Sequence, residues 1–194
     1  MKEKILLIGG GGHCRSCIDV IEQSNQFEIV GIVDSFISVG AKICGYSVLG
    51  SDEDLSKLHA FAKYALITVG QLKDNEIRRG LHSTLRALNY ILPTIVSPFA
   101  YVARDVEIGS GTIVMHHAII NTNAKVGENC IVNTKSLIEH DAVILDHCHI
   151  STGAIVNGHA KVNSDSFVGS NAVVVHNASV PEKTFIKANH LFKG

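Results

Sequence analysis

The sequence predicts a two-part chain: a small α/β domain over residues 1–92, then a parallel β-helix over residues 93–194. Three observations carry this. Apolar runs alternate with helical stretches in the first part. A glycine run, Gly9 to Gly12, closes the first apolar run. From Pro93 onward, an aliphatic residue returns at every sixth position.

The first part reads as strands and helices in alternation. KILLIG is a buried first strand, ended by the glycines and followed by a helical stretch through about Ser24. FEIVGIVD is a second strand with Asp34 at its end, and YALITVG is a third. SDEDLSKLHAFA opens on a loose capping box, Ser51 with Asp54 three residues on. KDNEIRRGLHSTLRAL is amphipathic and helical, although Gly80 weakens it. Alternation of this kind implies a small parallel sheet covered by helices.

The second part obeys a different period. The series Val96, Val102, Ile108, Val114, Ile120, Val126, Val132, Ile138, Ile144, Ile150, Val156, Val162, Val168, Val174, Val180, Ile186 contains nothing but Val and Ile. Four residues after most of these stands a small residue, as in Ala118, Ala124, Cys130, Ser136, Ala142 and Cys148. This is the hexapeptide repeat of a β-helix. The aliphatic side chains fill the interior, and the small ones fit where the chain turns a corner. Three hexads make one coil of about 18 residues, giving about five coils. Residues one coil apart therefore stack about 4.8 Å from each other. On that rule Asp141 stacks on His159, Gly158 on His140, and Asn121, Glu139 and Asn157 form a column.

Composition narrows the function. Seventeen Lys and Arg against eighteen Asp and Glu leave a net charge of −1, which argues against a nucleic-acid or polybasic membrane surface. Apolar residues reach 46% and charged ones 18%, enough for a sizeable core. No apolar run approaches the roughly 20 residues of a membrane span. MKEKILLIGG reads as a first strand rather than a signal peptide. Five cysteines without a secretory signal point to a reduced, cytoplasmic setting. Cys14 and Cys17 form a CxxC, but no second pair completes a zinc site; they read as two small residues on one helix.

Glu139, His140 and Asp141 stand together in SLIEHDAV, amid aliphatic and small residues. An imidazole flanked by acids is a candidate general base with an orienting carboxylate. Such a base can take the proton of an attacking nucleophile. The sequence leaves two acids for the supporting role.

An N-terminal domain beginning IGGGGH, joined to a hexapeptide β-helix carrying IEHD, resembles the NeuD/PglD family of bacterial sugar acyltransferases. The resemblance spans essentially the whole chain. It implies a Rossmann-like domain followed by a left-handed β-helix, acetyl-CoA as cosubstrate and no metal. It further implies a homotrimer with active sites between neighbouring β-helices. On it, His140 is the general base. Asp141 falls where the family usually has a glutamate, so either Asp141 or Glu139 serves the base. Asn133 matches a polar residue beside it, His149 the histidine near the thioester, and Gly158 and Ser170 backbone contacts to the cofactor. Gly11, Gly12 and His13 match the loop holding a nucleotide-sugar, and Asp34, Ser35 and Gly70 its further contacts. The family often has an aspartate pair where this chain has Asp34-Ser35. The chain ends KANHLFKG where many relatives have Gly-x-Pro-Ala-Lys near the CoA tail.

The expected activity is N-acetylation of a UDP- or GDP-linked 4-amino sugar in surface-glycan or nonulosonic acid synthesis. O-Acetylation of sialic acid is the alternative. Two readings come from other classes. An NAD-linked oxidoreductase would use the glycine loop with Asp34, although Cys14 stands where a third fingerprint glycine would fall. A non-catalytic β-helix would use neither site. The cluster His147, Cys148, His149 suggests metal binding, but Cys148 holds a corner position and the His-x4-His pair of β-helical carbonic anhydrases is absent.

Overall fold

The computed structural model describes residues 2–71 and 75–194. The chain forms two compact units. One comprises Met1–Gly70 with Glu76–Pro93, the other Gln71–Asn75 with Thr94–Gly194.

In the first unit, strands β1 (Glu3–Ile8), β2 (Phe27–Val33), β3 (Lys42–Ile43), β4 (Tyr46–Gly50) and β5 (Tyr64–Ile67) form one sheet in the order β3-β4-β2-β1-β5. Pairing is parallel except between β3 and β4. Ile5 to Ile8 are fully buried, as expected for a central strand covered on both faces. The β3–β4 hairpin is not anticipated by the sequence reading. Its turn is Cys44-Gly45 with φ of 48° and 90°, the positive pair that a two-residue hairpin requires.

Helix α1 (Gly12–Ser24) buries Cys14, Cys17, Ile18 and Ile21, the spacing of one helical face. Both thiols of the CxxC therefore face the core, and burial raises both above the ordinary thiol value. The expected capping box at Ser51 and Asp54 forms and opens a short 3-10 turn, which leads into α2 (Leu55–Leu58). Helix α3 (Glu76–Ala87) buries Arg78, Leu81, His82 and Leu85. Lys73 and Asp74, at the start of the expected helical stretch, lie outside the described residues. Arg78 is 1% exposed and donates from Nη1 to the carbonyls of Ile67 (2.7 Å) and Val69 (2.9 Å), fixing the end of β5.

The second unit is a stack of two-residue strands on three faces, with parallel pairing within each face, consistent with the left-handed β-helix expected. The first face runs from Ile95–Val96 to Phe185–Ile186, the second from Tyr101–Val102 to Leu191–Phe192, the third from Glu107–Ile108 to Ser179–Val180. Each strand pairs with the one a coil away; Ile138 lies opposite Ile120 and Val156. The Val and Ile series forms the interior with the small corner residues, among them Ala124, Cys130, Ala142, Cys148 and Ala160. From residue 111 onward each corner also has one residue with positive φ; apart from Gly111, Gly153, Lys135 and Lys183 these are Asn, Asp or His, among them His117, Asn123, Asn129, Asp141, His159, Asn171 and Asn177. Asn, Asp and His tolerate that left-handed conformation best after glycine. Among the described residues, no helix is long and apolar enough to cross a membrane.

Candidate active site

In the first unit, the glycine run sits at the carboxyl ends of the strands. Gly9 has φ of +105°, and a Cβ there would lie 2.4 Å from Val69 Cγ2. Gly11 caps α1, and Gly11 and Gly12 face open space. No acidic residue occupies the first turn of α1, so the partial positive charge of the helix start is not offset locally.

Asp34, just past β2, closes this loop. Its Oδ2 accepts from the Gly10 N–H at 2.7 Å, and its Oδ1 from the Phe36 and Ile37 N–H groups at 2.8 and 3.0 Å. Three backbone donors on one carboxylate make Asp34 the organiser of the loop. Ser35 turns to the Asp52 N–H, 3.3 Å away. Gly70 lies against His13: a Cβ on Gly70 would be 3.5 Å from His13 Cβ. Gly11, Gly12, His13, Asp34, Ser35 and Gly70 thus gather at one rim of the sheet. This is where an open α/β sheet binds its ligand.

In the second unit, Glu139, His140 and Asp141 follow the strand Leu137–Ile138, at the corner between the second and third faces. His140 Nδ1 lies 2.8 Å from Asp141 Oδ2. Asn123, one coil below, donates to Asp141 Oδ1 at 2.6 Å. His159, one coil above, brings Nε2 to 3.6 Å from Asp141 Oδ2. The hydrogen bonds from Asn123 and His140, in that order, hold the Asp141 carboxyl below its ordinary 3.8. Glu139 is used elsewhere: its Oε2 accepts from Asn121 Nδ2 (2.8 Å) and from the His140 backbone N–H (3.3 Å). The geometry therefore pairs the imidazole with Asp141. Gly158, in the coil above, lies against the ring, and a Cβ there would be 2.8 Å from His140 Nε2. His159 and His176 continue the cluster, with rings edge-on at 5.4 and 5.3 Å from one to the next.

His149 and Asn133 form a separate group. Asn133 Nδ2 donates to His149 Nε2 at 3.0 Å, so Nδ1 carries the ring proton and donates to the Gln71 carbonyl at 2.7 Å. Asn133, expected beside the base, is thus paired with His149. His149 is 5% exposed and stacks edge-on against Phe167. Ser170 lies nearby in sequence register, its Oγ 3.1 Å from Ser151 Oγ, at the corner between the first and second faces. The candidate residues of the β-helix therefore occupy two corners, one at each edge of the second face.

The segment LDHCHI does not converge on one point. Asn129 Nδ2 donates to His147 Nδ1 at 3.0 Å, Cys148 is in the core, and His149 faces Gln71. Sequence reasoning did not give a role to Asn123 or Arg78. Asn123 was accessible from the stacking rule, since it stands one coil before Asp141. Nothing in the pattern of α3 singles out Arg78 as a strand cap.

Residues 4–85 match the model of the PglD N-terminal domain. No curated relative matches the chain. Solved structures match over nearly the whole chain. A mutant perosamine N-acetyltransferase from Caulobacter crescentus, in complex with CoA and GDP-perosamine, is 24% identical with a TM-score of 0.82, covering 98% of this chain and 97% of its own. The acetyltransferase domain of PglB from Neisseria gonorrhoeae FA1090, in complex with acetyl coenzyme A, is 23% identical with a TM-score of 0.87, covering 98% of each chain. WeeI from Acinetobacter baumannii AYE is 21% identical with a TM-score of 0.65, covering 95% and 94%. The chain shares the fold of these proteins.

Proposed function

We propose that the protein is an acetyl-CoA-dependent N-acetyltransferase acting on a nucleoside-diphosphate-linked amino sugar, with His140 as general base. One observation carries the reading: His140 Nδ1 is held 2.8 Å from Asp141 Oδ2, which leaves Nε2 as the accepting nitrogen beside Gly158. The fold shared with structures that bind CoA and GDP-perosamine, or acetyl coenzyme A, supports it. So does the PglD N-terminal domain.

The chemistry follows from the tautomer. Nδ1–H donates to Asp141, so the Nε2 lone pair takes the proton of the attacking amine. The C–N bond forms, the tetrahedral oxyanion collapses, and the C–S bond breaks. The CoA thiolate then recovers the proton from His140. The thioester is already activated, so no enzyme-bound acyl group is required. We assign acetyl-CoA to Gly158, Ser170 and the neighbourhood of His149. We assign the nucleotide to the rim formed by Gly11, Gly12, His13, Asp34, Ser35 and Gly70. There the unbalanced helix start suits a diphosphate.

The working form we assign is a homotrimer in the cytoplasm. The outward residues of the second face are Tyr101, Ile119, Leu137, Ile155, Val173 and Leu191, all apolar. The third face instead presents Glu107, Lys125, Val143, Lys161 and Ser179, of which one is apolar. An apolar face of this length favours burial against copies of itself. Packing three such faces would set the His140 corner of one copy beside the Ser170 corner of the next.

The test is acetyl transfer from acetyl-CoA to a panel of UDP- and GDP-linked amino sugars, with sialic acid and NAD binding as comparisons. The parent protein is expected to release CoA with an amino-sugar nucleotide, and His140→Asn to lose this while keeping its melting temperature. Acetylation of sialic acid alone, NAD binding without acetyl-CoA binding, or full turnover in His140→Asn each sinks the proposal.

A further inference from the structure

We propose that His140, Asp141 and His159 form a site for a divalent transition-metal ion, zinc in the first place, and that metal bound there disables the base. The ligand atoms of these three residues all lie within 4.8 Å of one another. Asp141 Oδ2 stands between the imidazoles, 2.8 Å from His140 Nδ1 and 3.6 Å from His159 Nε2. Zinc bonds to nitrogen and carboxylate oxygen at about 2.0–2.2 Å, so its tetrahedral ligand atoms lie roughly 3.3–3.5 Å apart. To reach that spacing the 2.8 Å pair has to open and the His140–His159 pair, within 4.8 Å, has to close, which rotation of the two half-exposed rings allows.

The framework around them suits a ligand. The donors come from two stacked coils, and Asp141 and His159 occupy the same left-handed corner position, with φ of 59° and 57°. Asn123 takes the other carboxylate oxygen, Oδ1, at 2.6 Å. Oδ2 is thereby kept turned toward the imidazoles, the kind of support that ligating carboxylates commonly have. The His140 and His159 side chains are each about half exposed, at 48% and 51%, so an ion can reach them from solvent. Two imidazoles and one carboxylate select zinc, copper or nickel over magnesium and calcium, which want oxygen alone. Three protein ligands leave a fourth position open to water.

The consequence for the base is a matter of one proton. In the dyad, the neutral imidazole carries its proton on Nδ1 and its lone pair on Nε2. A metal on Nδ1 uses that lone pair, so the ring proton moves to Nε2. No proton is lost overall, but Nε2 no longer accepts one from an amine. The metal is thus no cofactor of the transfer reaction. This consequence rests on the proposed function; the binding itself does not.

The experiment titrates zinc chloride into the untagged full chain, followed by calorimetry. It uses a Cys44→Ser background, because Cys44 is the exposed thiol. The expected result is about one zinc per chain and no heat from magnesium. His159→Asn and Asp141→Asn should each weaken zinc more than tenfold, and Asn123→Ala by about tenfold, with unchanged circular dichroism. Absence of zinc binding, or equal affinity in parent and His159→Asn, overturns the site. In a second arm, acetylated product rather than thiol is followed, since free thiols bind zinc. Zinc should stop product formation and EDTA should restore it; transfer undiminished in zinc-saturated protein overturns the switch. Zinc binding with no acetyl transfer to any acceptor would leave the metal site standing and remove the proposed function instead.

Discussion

Asn123 Nδ2 reaches across one coil to Asp141 Oδ1 at 2.6 Å and leaves Oδ2 to His140. This bond contributes most to holding the Asp141 carboxyl below its ordinary value. Its loss in Asn123→Ala lets the carboxyl rise. A carboxyl depressed in the folded state adds stability above its unfolded value, and that increment disappears as pH falls through the folded value. The stability gap between parent and Asn123→Ala should therefore be widest at neutral pH and narrow below about pH 4, leaving the pH-independent cost of alanine in the left-handed conformation of residue 123. Urea unfolding across that range checks it; a gap that does not narrow as pH falls contradicts it.

Gly158 sets the height of the base. A methyl group there would stand 2.7 Å from His140 Cε1, closer than carbon atoms approach. The ring has to move, because the Gly158 backbone is fixed by its coil. Gly158→Ala is expected to lower turnover on the order of 100-fold, the effect of a misplacement near 1 Å. The melting temperature should hardly change, since the His140 ring can swing into solvent. Unchanged turnover would detach His140 from the chemistry.

Asp34 should act on nucleotide binding through the loop it holds. Asp34→Ala removes an acceptor from three backbone N–H groups, at Gly10, Phe36 and Ile37. A hydrogen bond to a charged group contributes about 1.5–3 kcal/mol. We expect the KM for the sugar nucleotide to rise at least about tenfold, equivalent to about 1.4 kcal/mol. The KM for acetyl-CoA should stay put. Equal increases for both substrates would show general loosening instead.

The apolar second face predicts the assembly state. Ile119 is 40% exposed and lies between Tyr101 and Leu137 on that face. Ile119→Asp places a charge where burial against a second copy would leave it unpaired. Sedimentation should give a trimer for the parent protein and a monomer for the variant. A monomeric parent would remove the argument from the face altogether.

Much of the architecture was legible because a period of six admits few solutions. An aliphatic interior and a small corner residue recur together, so the stacking partners of His140 and Asp141 followed by counting. The β3–β4 hairpin was missed because its strands are short and its turn signal is a single Gly45 after an ordinary cysteine. Arg78 was missed because a charged residue on an amphipathic helix normally faces water, whereas this one ends in two strand-end carbonyls.

By itself the sequence determined the β-helix, its coil register and the column that places Asn123, Asp141 and His159 above one another. Only the tertiary structure decided which acid meets the imidazole. Glu139 and Asp141 are both adjacent to His140 in the chain, and composition does not separate them. The left-handed backbone at Asp141, with φ of 59°, accompanies the approach of its short carboxylate to His140 Nδ1. Glu139 instead reaches down its own column to Asn121. Counting gives which residues stack; the direction of a side chain at a corner depends on backbone dihedrals and on hydrogen-bond partners from the coil below, and those exist only once the coils are stacked.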